Sequence, residues 1–338
     1  MKVASAMVTS YQPLPAMAEA AVRKAMQKAE LKQAACVFLF MTRDMAYCAK
    51  AAVTAAARVA GCLQVHGCTA YGIFTENGWV LEQSGAAALV MDCHFQPADS
   101  SALALSLTGS STLPAEWQSG RQRFGLLESN STIWSNGRVS PHARAEIALG
   151  HLQQHQSIVN GLRSLTETLI VDEAEGYEVK VIGGKPAIES LRRELHPELR
   201  DDPPLHRMAA LRRTGESGIP ILSHNADGSI TLGEPFKKGD TIIWTMRQAL
   251  FAERFMREAM DVAVDALPDP DFALMFSCIG RGPLFFGDED LDLDEVCKRF
   301  PGLPLIGAYG SGQIATLKDD NLLYQNTAIT LLLKEAHV

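Results

Sequence analysis

The chain has 338 residues, 47% of them apolar and 21% charged, and a net charge of −8. That length exceeds a single core, since domains hold roughly 100–200 residues, so two structural units are expected. The acidic balance argues against non-specific nucleic-acid binding and against attachment to an anionic membrane.

From the N-terminus, 2-KVASAM-7 predicts a strand and 15-PAMAEAAVRKAMQKAEL-31 a helix opened by Pro15, with Met17, Ala21, Ala25 and Ala29 on one stripe. A buried strand follows at 35–41. An alanine-rich helix at 45–60 closes at Gly61, the segment 63-LQVHGCTAYGIF-74 comes next, and 86-AAALVM-91 is a strand. Residues 97–140, rich in Ser, Gly, Thr and Pro, predict short strands and loops. Residues 143–162 are expected to be helical. A hairpin is expected over 167–184 around Glu175-Gly176, then a helix from Pro186, then an exposed connection at 196–216. A second hairpin, 219-IPILSHNADGSITLG-233, turns on Asp227-Gly228. The C-terminal part predicts a strand at 241–246, a helix at 249–267, a strand at 272–277, a short helix at 291–300, the segment 303-LPLIGAYGSGQI-314 and a strand at 328–333.

The two ends share one order of elements, and both contain G-x-x-x-x-G, at Gly67–Gly72 and Gly307–Gly312. This predicts an α/β fold built from a duplicated α/β unit, with two mixed sheets and flanking helices. Such glycine density marks a backbone that turns sharply or is approached closely. Neither loop is a Walker A loop, because no Lys-Ser/Thr follows the last glycine. No apolar run approaches the roughly 20 residues that cross a bilayer. The N-terminal MKVASAMVTSYQPLP lacks a signal-peptide pattern. The seven cysteines are odd in number and form no C-x-x-C, so neither a disulfide framework nor a zinc ribbon is indicated. The cytoplasm is the expected compartment.

The pattern 276-FSCIGRG-282, the following short acidic helix, 304-PLIGAYGSG-312 and 326-NT-327 together resemble the FIST C-terminal domain. The segment 66-HGCTAYG-72, with its preceding strand and helix, resembles the FIST N-terminal domain, and 178-EVKVIGGKPAIESL-191 fits the junction. The resemblance implies a FIST N-terminal-like domain over 1–183 and a FIST C-terminal-like domain over 184–338. It implies a non-enzymatic signal-input protein that binds a small ligand and acts on a partner such as a histidine kinase or cyclase. One subset of the family binds haem and senses nitric oxide. Two positions depart from the family: Gln313 stands where glutamate is usual, and Ile73 follows Gly72 in place of glutamate.

The expected ligand cleft lies between the two glycine loops. Gly307, Tyr309, Ser311, Gly312 and Gln313 would line one side, and His66, Gly67, Thr69 and Tyr71 the other. Arg281, set between glycines, has the geometry to clamp a carboxylate, or else pairs with Asp288, Glu289 or Asp290. Cys278 reads as packing or, in an enzymatic alternative with Arg281, as a nucleophile acting on a small carboxylate. His66 reads as a satisfied core histidine or as an axial haem ligand. His151 and His155 would share one face of the helix expected at 143–162. The run Asp288–Glu295 is expected to be the solvated face and N-terminus of a short helix.

Overall fold

The computed structural model describes residues 1–94 and 102–336, so 97–101 of the loop-rich stretch lie outside the described residues. The chain forms two compact units, Met1–Val159 with Met256–Val338, and Asn160–Phe255. The expected boundary at 183/184 falls inside the second of these.

The first unit opens with β1 (Val3–Ser10), α1 (Ala16–Lys28), β2 (Cys36–Thr42), α2 (Ala49–Ala60), β3 (Val65–Ala70), the hairpin β4 (Gly72–Thr75) and β5 (Gly78–Val80), and β6 (Ser84–Met91). Strands β2 and β3 run parallel, with α2 as their crossover, and β6 returns antiparallel between β1 and β2. Small side chains on α1, among them Ala18, Ala21, Val22 and Ala25, are fully buried with Ala52, Val53 and Ala56 of α2 against one face of this sheet. Next come β7 (Ala104–Thr108), β8 (Arg123–Leu127), the short hairpin β9 (Ile133–Ser135) and β10 (Arg138–Val139), β11 (Arg144–Ala148) and the edge strand β12 (Leu152–Val159). The helix expected over 143–162 is therefore two strands. Alternating burial along Arg144–Ala148 shows the period of a half-buried strand, which the alanines obscured. His151 sits at a turn with φ 62° and His155 lies in β12, so the two share no helix face.

The second unit contains β13 (Leu162–Ser164), β14 (Leu169–Glu175), β15 (Glu178–Ile182), β16 (Lys185–Pro186), α3 (Ala187–Arg192), β17 (Met208–Leu211), β18 (Ile219–His224), β19 (Ile230–Leu232) and β20 (Thr241–Arg247). Both expected hairpins are present, β14–β15 and β18–β19. The path of antiparallel pairing runs β20-β14-β15-β19-β18-β17 and returns to β20, closing a small barrel. Val171, Val179, Leu191, Ile230, Phe236 and Trp244 fill its core. The supposed connection at 196–216 contains β17, all four residues of which are buried. Strand β20, expected as the counterpart of β1, belongs to this barrel.

Helix α4 (Ala249–Ala266) contains the boundary back to the first unit. There follow β21 (Phe272–Cys278), α5 (Gly282–Phe286), α6 (Leu291–Arg299), β22 (Leu305–Gly310), the hairpin β23 (Gly312–Leu317) and β24 (Asp320–Tyr324), and β25 (Ala328–Glu335). Strands β21 and β22 are parallel, with β25 antiparallel to β21, as in the N-terminal repeat. The place that β1 takes beside β6 is taken here, beside β25, by β12.

The expected repeat is present, and it extends to a third copy that the loop-rich stretch concealed. Strands β7 and β8 are also parallel, and β11 lies antiparallel to β7. Each copy thus has a parallel pair, a hairpin and an antiparallel return strand. In each, the hairpin leaves its own sheet. The β4–β5 hairpin pairs with β22, the β23–β24 hairpin with β8, and the β9–β10 hairpin with β3. The exchange is cyclic, so the first unit has three mixed sheets where two were expected. They enclose one core, to which Phe38 and Phe40, Leu105 and Phe124, and Phe272 and Phe276 contribute from the three copies.

Candidate functional site

Open parallel sheets place ligands beyond the carboxyl ends of their strands, where loops replace the ladder. The three parallel pairs end at Thr42 and Ala70, at Thr108 and Leu127, and at Cys278 and Gly310. The residues that follow β3, β8 and β22 are Tyr71, Glu128 and Ser311, in equivalent positions of the three copies. The fold brings them together. Tyr71 N donates to Tyr309 O at 3.1 Å. Ser311 donates from both N (2.8 Å) and Oγ (2.7 Å) to Glu128 Oε2. Arg43, just past β2, donates to Glu128 Oε1 and lies over the Tyr71 ring at 5.4 Å. Thr69 and Thr132 tie the first and second copies, with Thr69 N donating to Thr132 O at 2.9 Å and Thr132 N to Thr69 Oγ1 at 3.0 Å.

Glu128 is the centre of this junction. It is only 2% exposed, a cost offset by one cation and two hydrogen bonds. Arg43, by contrast, is 54% exposed and reaches outward. Beside it opens a cleft of about 510 Å³, lined by Tyr11, Thr42, Arg43, Asp44, Tyr71 and the segment Leu81–Ser84. Such a volume suits a small ligand. Asp44 is held in place by the hydroxyls of Thr42 and Ser84. Tyr11 and Tyr71 present exposed aromatic faces. Leu81, Glu82 and Gln83 also wall a second cleft of similar volume, whose far side is Pro283, Leu284 and Asp288.

Of the residues singled out in the sequence, Tyr71 and Ser311 lie at this junction with their side chains partly accessible. The others are interior. Tyr309 and Gln313 are fully buried, and Thr69, Arg281, His66 and Cys278 nearly so. The glycines admit protein, not ligand: a Cβ on Gly307 would collide with the Phe74 ring and with Met275 O, and one on Gly67 with Leu39 O. At Gly312 the space belongs to Leu323.

Arg281 holds Asp292 through Nε–Oδ2 (2.5 Å) and Nη2–Oδ1 (2.9 Å). That pairing draws Asp292 inside, so the run Asp288–Glu295 is not wholly solvated. Asp290, Asp292 and Glu295 are buried, and Asp290 caps α6 by accepting from Leu293 N. Asp290 also accepts from Tyr309 OH. Burial, with the charge of Asp292 beside it, pushes the Asp290 carboxyl up to about 6.

His66 has Ser135 Oγ at 3.0 Å on Nδ1 and Gln64 Oε1 at 3.1 Å on Nε2, and burial lowers its pKa to about 4. With both ring nitrogens engaged, it does not fit an axial haem ligand. Among the described residues no cluster of three or more His, Cys, Asp or Glu suits a metal ion, and no helix is long and apolar enough to cross a membrane.

Arg43, Asp44 and Glu128 are not among the site residues expected from the sequence. Arg43-Asp44 carried one usable signal, two opposite charges directly after a buried strand. Glu128 carried none, since its copy was not visible as a repeat.

Comparison with known proteins agrees with the motifs. An uncharacterised protein of Mycobacterium tuberculosis and another of Mycobacterium bovis are each 28% identical to this chain over 190 residues. That alignment covers 51% of this chain and 48% of each relative, so the chain spans about half the length of the curated relatives it matches. Residues 187–316 match the FIST C domain. Because that span includes both 276-FSCIGRG-282 and 304-PLIGAYGSG-312, the chain carries a FIST C domain.

Proposed function

We propose that this chain is a small-ligand-binding sensory protein of FIST type, and that its ligand occupies the cleft walled by Tyr11, Arg43, Tyr71 and Gln83. A single observation carries this reading: Arg43 touches both that cleft and the buried Glu128, which also holds Ser311 of another copy. A ligand that draws on the Arg43 guanidinium alters what remains for Glu128. The change passes to the loops after β8 and β22, and so to all three copies. A cytoplasmic partner such as a histidine kinase or cyclase then reads the shifted population.

A thermal-shift screen with amino acids and small carboxylates tests the proposal. A ligand at ~100 Kd stabilises the fold by about 2.7 kcal/mol. The stabilisation should vanish in Arg43→Ala and Tyr71→Ala. A hit that both variants retain places the ligand elsewhere, and a screen with no hit removes the sensor reading.

A further inference from the structure

A third cleft lies wholly within the barrel unit, and its chemistry is different. It has a volume of about 400 Å³, and Lys185, Arg192, Arg193 and Arg200 line it against only Glu189 and Asp201. The chain as a whole is acidic, so this excess of cations inverts the local sign.

None of these six side chains forms an ion pair with another of them. Arg193 turns to Glu194, outside the group. Arg200 is fixed by its donations to Leu195 O (2.9 Å) and Arg193 O (3.2 Å), and its Nη1 has no partner among the described residues. Arg192 Nε is buried without a hydrogen-bond partner. The Lys185 ammonium likewise has no partner among the described residues. Lys185 directly follows Gly183-Gly184, the tight turn between β15 and β16, with φ of 61° and 72°. Gly183 faces open space, so nothing in the protein fills that wall. Gathering cations with unspent donors costs repulsion unless an anion answers them, and guanidinium groups suit planar or tetrahedral oxyanions.

We infer that this cleft is a binding site for a small multivalent oxyanion, a molecule carrying adjacent phosphate or carboxylate groups, separate from the cleft at Arg43. Calorimetric titration of the full chain with pyrophosphate, and separately with citrate, at constant ionic strength provides the test. Saturable binding of at least one is expected, and the anion that binds identifies the phosphate or the carboxylate source. The double variant Lys185→Gln, Arg192→Gln should raise Kd at least tenfold. Should that variant melt early, Lys185→Gln alone, at an exposed side chain, should still weaken binding severalfold. Unsaturable heats with both anions, or unchanged affinity in the variants, would overturn the assignment.

Discussion

Glu128 and Arg43 form one ion pair, yet the two ends are not equivalent. Deleting the Glu128 carboxylate strips the part-buried Ser311 N–H and hydroxyl of their shared acceptor, whereas deleting Arg43 removes a half-exposed cation that water replaces. Losing the partner of a buried group costs about 1–3 kcal/mol. Glu128→Ala, which takes the acceptor from both Ser311 donors and from Arg43 at once, should therefore lower the unfolding free energy by roughly 1–3 kcal/mol, and Arg43→Ala, which leaves Glu128 its two Ser311 donors and admits water in place of the guanidinium, should lower it by less, in urea titrations. The reverse ranking would show that Glu128 is not the structural anchor of the three loops. Single residues were legible where the chemistry is local. His66 in a strand is a satisfied core histidine, one of its two expected readings. The side chains of Tyr309 and Gln313 face inward because β22 and β23 are buried almost throughout, a fact that depends on which sheets cover them. No local pattern encodes that.

At the scale of elements, helix α6 begins on a carboxyl that does two jobs. Asp290 caps the helix and accepts from Tyr309, while burial holds its pKa near 6 against an ordinary value of 3.8. The folded state therefore binds this proton more readily than the unfolded chain. That contribution to stability is present below about pH 4 and is lost as pH rises through about 6. Asp290→Asn keeps the capping acceptor and removes the titration. The variant should gain on the wild type, by an amount of the order of 2–3 kcal/mol, as pH rises from 4 to 7. A stability difference that does not change with pH would refute this account. Hairpins with Asp-Gly or Glu-Gly turns were readable because turn chemistry is local. The strands β11 and β12 were not, since an alanine- and glutamine-rich stretch satisfies helix propensity until pairing overrides it. The third copy escaped notice for a related reason. Its crossover between β7 and β8 contains only a short 3-10 turn at Ala115–Trp117, so the strand–helix–strand signature is missing.

At the scale of the whole molecule, the barrel formed by β14, β15, β17, β18, β19 and β20 closes on its own core, and the strands that pair onto its ring, β13 on β20 and β16 on β15, come from the same unit. A fragment spanning 160–255 should fold alone, giving a sheet-type circular dichroism spectrum and a cooperative thermal transition. A fragment without cooperative melting would show that this unit depends on the rest of the chain. The sequence pointed to two units from length alone, and it placed a repeat at both ends. It did not reveal that the middle of the chain both completes a three-part ring and contributes a separate barrel.

The traded hairpins have a consequence for how this ring was assembled and how far it tolerates change. No copy finishes its own sheet; each lends its two hairpin strands to the copy before it, around the cycle, and borrows two from the copy after it. Trimming one copy would leave one neighbouring sheet short of a hairpin and another hairpin without its sheet, so the trio folds and is lost as a set, like a three-person handclasp. Guest sequence is accommodated only where no clasp is crossed, and the interval between Val159 and Met256, which holds the whole barrel, is such a place.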